Sequence, residues 1–80
     1  MGDRDFIEVV NKMLEHIPKD DMLRKKLHKS LEKYAYMAPE IKNNIWGYTH
    51  NFFKERFANT EILDLPEWGF KILNIWANKE

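Results

Sequence analysis

The sequence predicts an all-α fold, a compact single domain of four helices at about 3–17, 20–37, 39–57 and 65–78. Three observations carry this. Apolar residues recur at helical spacing in every segment. Prolines and capping residues fall at the segment ends. Strand signals are absent: there is no Asn-Gly or Asp-Gly turn and no sustained alternation of apolar and polar residues.

In the first segment Phe6, Ile7, Val9, Val10, Met13, Leu14 and Ile17 fill one stripe, about 160° wide at 100° per residue, with the charges opposite. Asp3 or Asp5 suits the N-cap, and Pro18 stops the helix near Ile17 because the residue before a proline is pushed out of the α region. The second segment starts on Asp20 or Asp21 as N-cap and turns Leu23, Leu27, Leu31, Tyr34, Ala35 and Ala38 inward. Pro39, followed by Glu40, suits the first helical position of the third segment. That segment carries two adjacent stripes: Ile41, Ile45, Tyr48 and Phe52 as the core face, and Trp46, Phe53 and Phe57 beside it. Gly47, costly in a helix interior, is expected at a close helix crossing. In the connection 58–65, Thr60 caps a short turn with Ile62 and Leu63 tucked under the bundle. Asp64 then caps the last helix, with Glu67 answering it as in a capping box and Pro66 in the first turn.

The last segment holds the most apolar surface. Glu67, Lys71, Asn74 and Asn78 share a narrow polar strip, and the remaining residues cover an arc of about 220°. An outer helix needs a stripe only a little over 100° wide, so this helix is covered on more than one side. Two readings stand: a central helix wrapped by the other three, or a helix with one face inward and one against a second protein. Aromatic residues are enriched at interface centres. The surplus in the last two segments points to docking through Trp46, Phe53, Phe57, Trp68, Phe70 and Ile75. The partner is a protein or a second copy, and a homodimer is the economical version because it supplements a small core.

Charge supplies the alternative. Residues 1–21 carry three basic and six acidic side chains, residues 22–57 eight and three, and residues 58–80 two and four, so net charges of −3, +5 and −2 cancel. Lys25, Lys29 and Lys33 lie at i, i+4 and i+8 with Lys26 beside them, and Met22 and Tyr36 are on the same side. Such a face fits a nucleic-acid-associated regulator, or an acidic partner, gripped by Lys25, Lys26, Lys29, Lys33 and Tyr36. Against nucleic acid stand the zero net charge and only three arginines, Arg4, Arg24 and Arg56, since bidentate readout favours arginine. A lysine-rich outer face is also how helices stay soluble.

Chemistry finds little purchase. His16, His28 and His50 lie on three segments with no second histidine at i+3 or i+4, and His28–Glu32 is an ordinary helical neighbour pair. Ser30 is the only serine, and no phosphate loop or nucleophile elbow is present. The expectation is a protein that is not an enzyme, with no metal, cofactor or small-molecule substrate. Absence of cysteine fits a reducing compartment, and no apolar run approaches the roughly 18 residues of a membrane span. A cytoplasmic protein without a membrane partner is therefore expected. Richness in Lys, Asn, Ile and Phe is the bias of an AT-rich genome, which suggests a small accessory protein of a phage or virus acting in the host cytoplasm.

Overall fold

The computed structural model, which describes residues 3–78 with side chains from Phe6 onward, divides the four expected segments into five α-helices. They are α1 (Asp3–Leu14), α2 (Met22–Lys33), α3 (Pro39–Asn43), α4 (Ile45–Arg56) and α5 (Glu67–Ala77), with 3-10 turns at Tyr34–Tyr36 and Ile62–Asp64. The fold is all-α, 75% helical, with no strand among the described residues. The side chains of Asp3 and Asp5, expected as caps, lie outside the described set.

Each boundary has a local cause. α1 ends at Leu14 instead of Ile17 because its last carbonyls find a partner elsewhere. The Arg24 guanidinium donates to the carbonyls of Leu14 and, at 3.0 Å, of Ile17. This satisfies acceptors that a helix end leaves open, and it lets the chain turn while Ile17 stays buried. Asp21 is the N-cap of α2, its carboxylate accepting from the Leu23 amide at 2.9 Å. Pro39 occupies the first turn of α3, as expected.

The third segment breaks where a continuous helix is expected. Asn44 leaves helical geometry at φ −111° and ψ 21°. Its amide bonds back to the Ile41 carbonyl at 3.1 Å, closing α3, while its own carbonyl accepts from the Tyr48 amide at 3.0 Å, opening α4. The expected Asp64–Glu67 capping box does not form either. Asp64 belongs to the preceding 3-10 turn, Pro66 stands at the cap position, and its carbonyl accepts from the Gly69 amide at 2.8 Å.

Packing follows a short circuit: α1 against α5, α2 against α4, and α1 against α2. The core is built on Phe6, Val10, Met13, Leu23, Leu27 and Ile72, all fully buried. Phe6 stacks on Tyr34 with ring centres 4.6 Å apart and meets the edge of Trp46 at 5.4 Å. A radius of gyration of 12.3 Å is close to the value of about 11.6 Å for a compact chain of this length.

A two-pronged ion pair crosses the bundle at the start of α2. Arg56 at the end of α4 makes a two-pronged contact with Asp21, with Nε at 3.0 and 3.2 Å and Nη2 at 2.9 Å from the carboxylate oxygens. The same guanidinium lies 5.1 Å from the Phe57 ring centre and 5.4 Å from that of Trp68. α2, α4 and α5 are thereby joined at one end of the molecule.

Two glycines have opposite roles. Gly69 is the true close approach: a Cβ there would sit 3.4 Å from Phe57 Cζ and from Pro66. Gly47, expected at a crossing, faces open space. Gly47→Ala should therefore stabilise the protein by about 0.5–1 kcal/mol through helix propensity alone, a rise of several degrees in Tm by circular dichroism.

The Arg56 hydrogen bonds hold the Asp21 carboxyl below the ordinary aspartate range, against the opposing effect of partial burial, with the Leu23 amide and the Arg56 charge adding to them. The folded state thus binds this proton less readily than the unfolded chain. The stabilisation is complete above the ordinary aspartate pKa of about 4 and is lost as pH falls through the lowered folded value. Asp21→Asn should cost about 1–3 kcal/mol at pH 7. In urea titrations the gap between variant and parent should narrow as pH is taken from 7 to 3.

Candidate functional site: an apolar groove edged by lysines

The orientation of α4 sets the site. Its buried residues are Ile45, Thr49 and Phe53, at i, i+4 and i+8. The inward face is thus centred between the two apolar stripes, on Thr49. A threonine is tolerated there because its hydroxyl donates to the Ile45 carbonyl at 2.8 Å, a back-bond that hides the polar group inside the helix. The two stripes become flanks. On one flank Trp46 and Phe57 are half-buried; on the other Phe52 is half-buried and Tyr48 is exposed.

This corrects the expected core face of the third segment. Ile45 is inside, but Ile41 and Tyr48 are exposed. Phe53, expected at an interface, is only 3% exposed and meets Trp76 edge-on at 6.0 Å. The remaining expected docking residues do not form one surface. Trp46 reaches inward to Phe6. Phe57 and Trp68 lie against each other, ring centres 5.8 Å apart, beneath Arg56. Ile75 is half-buried against the core, and Phe70 alone of the six is exposed. The wide apolar arc of α5 is thus covered over α1 and partly covered at its flanks, leaving one edge open.

Concave apolar surface lies instead along α2 and α4. One hollow, about 540 Å³, is lined by Lys33, Tyr36, Met37, Glu40, Ile41, Asn44 and Tyr48. A second, about 220 Å³, shares Lys33, Met37 and Tyr48 and adds Lys26, Lys29, Ser30 and Phe52. A third, about 350 Å³, shares Lys26 and Phe52 and ends at Met22, Leu23, Glu55 and Arg56. The shared walls make one groove along the two helices. Tyr36 at its mouth is 89% exposed and Tyr48 on its floor 45%; Tyr48 and Phe52 meet edge to face at 5.0 Å.

Part of the expected basic face edges this groove. Lys26, Lys29, Lys33 and Tyr36 line it, whereas Lys25, about 100° around the helix from Lys26, does not. Lys26 pairs with Glu55 at 2.9 Å and lies 5.9 Å from the Phe52 ring centre. Among the described residues no ion pair engages Lys29 or Lys33. Both arginines with described side chains serve the fold: Arg24 on the carbonyls of α1 and Arg56 on Asp21. The groove is therefore apolar along its floor and cationic along one edge, with Glu40 and Glu55 as its acidic members.

Among the described residues no group of three His, Asp or Glu side chains is placed to hold a metal ion, and no helix is long and apolar enough to cross a membrane. Comparison with protein-family models, with curated proteins and with solved structures finds no match to this chain.

The groove residues Met37, Ile41, Tyr48 and Phe52 were not expected as a site. The available signal was Thr49, the polar residue lying between two competing apolar stripes. If Thr49 marks the inward face, truncating the two stripes should have very different costs. Phe53→Ala should lose about 3–5 kcal/mol, and Tyr48→Ala no more than about 1 kcal/mol, the size of one aromatic pair. Chemical denaturation of the two variants checks the assignment.

Proposed function

We propose that this protein is a non-catalytic interaction module that receives an apolar, carboxylate-bearing segment of a protein along the α2–α4 groove. The observation that carries the reading is the continuity of the groove, whose floor of Met37, Ile41, Tyr48 and Phe52 runs beside Lys29 and Lys33. Exposed contiguous apolar surface is costly to keep in water, and where it is concave and edged by polar groups it marks binding sites. Charge complementarity along one edge sets orientation and selects against basic partners.

The nucleic-acid alternative draws on the same lysines. What favours a protein segment is the apolar floor, which phosphate does not need, and the neutralisation of Lys26 by Glu55. Duplex DNA should accordingly bind weakly, with a log–log salt slope shallower than about −2, fewer phosphates being neutralised than the lysine count allows.

The direct test uses two synthetic amphipathic peptides with a leucine stripe, one flanked by glutamates and one by lysines. Titrating the glutamate peptide into labelled protein should move the amide resonances around Tyr36, Ile41 and Tyr48, and Tyr48→Glu should abolish the effect. Unmoved resonances at millimolar peptide, or equal response to the lysine peptide, would sink the reading.

A further inference from the structure

The connection between α4 and α5 holds the two most exposed large aliphatic side chains among the described residues. Ile62 and Leu63 were expected under the bundle, yet Ile62 is 72% and Leu63 91% exposed. They are displayed by an ordered turn. The Asp64 amide donates to the Glu61 carbonyl at 2.9 Å, the Leu65 amide to that of Ile62 at 3.2 Å, and the Thr60 amide to that of Phe57 at 3.1 Å. The run Glu61-Ile62-Leu63-Asp64 therefore presents two branched apolar side chains between two carboxylates. That is the chemistry the groove calls for.

The hollow over Ile41 and Tyr48 and this turn lie at opposite ends of α4. The hollow of about 540 Å³ is beside Asn44 and Tyr48 at its start, and the turn follows Arg56 at its end. The 12 residues of α4 span about 18 Å, so the turn cannot reach that hollow of its own molecule. A second copy lying antiparallel can offer its turn there and receive the first copy's turn in return. The same contact made twice closes as a two-fold pair and does not propagate.

We propose that the occupant of the groove is the Ile62–Asp64 turn of a second copy of this chain, the two molecules exchanging turns as a reciprocal dimer. Leu63 and Ile62 enter the hollow over Ile41 and Tyr48, and Glu61 and Asp64 face Lys29 and Lys33. Glu55 is already matched by Lys26 at 2.9 Å, which leaves Glu40 as the one acidic group of the groove outside an ion pair and the local balance positive. The contact joins a section of chain with net charge +5 to one with −2. The inference rests on the groove reading above and names its partner.

Sedimentation equilibrium of the whole chain over a concentration series tests it. The mass should rise from 9.7 kDa toward twice that value. Leu63→Glu and Tyr48→Glu should each hold the chain monomeric with helical circular dichroism unchanged, since both side chains are exposed. Lys33→Glu should weaken association about tenfold or more, and adding Asp64→Lys to it should restore most of the loss, because the reversed pair re-forms across the interface. A chain monomeric to millimolar concentration overturns the proposal, as does a dimer indifferent to Leu63→Glu or a Lys33→Glu defect that Asp64→Lys deepens. If the chain is monomeric while the glutamate-flanked peptide still shifts Tyr48, the groove reading stands and only the second copy is lost. If neither occurs, both fall.

Discussion

The contact between Arg56 and Asp21 is the constraint from which the rest of the arrangement follows. Asp21 caps α2 through the Leu23 amide and meets both prongs of a guanidinium from α4. The planar fork of arginine makes this geometry specific in a way a lysine ammonium would not. Because the guanidinium also rests on Phe57 and Trp68, the start of α2, the end of α4 and the start of α5 are fixed together. The register of α4 along α2, and with it the position of every groove residue, depends on that junction.

Arg24 acts in the same manner at the neighbouring corner, donating to the open carbonyls at the end of α1. A chain of this size buries too little apolar surface to leave helix ends unsatisfied. Both arginines with described side chains are therefore inside the framework, as is Lys26 through its ion pair with Glu55, while Lys29 and Lys33 of α2 remain outside it. This division of labour separates the charges that hold the fold from those available to a partner.

The orientation of α4 has the largest consequence for function. Two aromatic stripes compete for the inside of that helix, and neither wins outright. The helix settles with Thr49 inward, so that Phe53 fills the core and Trp46 reaches Phe6. Tyr48 and Phe52 are left along the seam with α2. An apolar surface that would have been core in a differently rotated helix becomes the wall of a groove. The exposed turn at Ile62 and Leu63 arises similarly: Pro66 starts α5 late, and the residues before it form a 3-10 turn that stands clear of the bundle.

Helical content, the approximate ends of the segments, and most of the inward faces of the first two helices were legible in the sequence, although Ile7, Ala35 and Ala38, expected inward, are exposed. They depend on local physics: apolar period, proline geometry and the capping carboxylate of Asp21 act within a few residues of one another. The core members Phe6, Val10, Met13, Leu23 and Leu27 follow from that period, because each lies on a single stripe with charges opposite. The break at Asn44, the rotation of α4 and the groove were not legible. A period cannot rank two adjacent stripes, and a threonine reads as polar until its hydroxyl is seen bonded to the Ile45 carbonyl. Which stripe turns inward is decided by what the rest of the fold offers to touch: Phe6 for Trp46, Trp76 for Phe53, and Asp21 for Arg56. Those partners are 35 residues away in the case of Arg56, and only the tertiary structure brings them together.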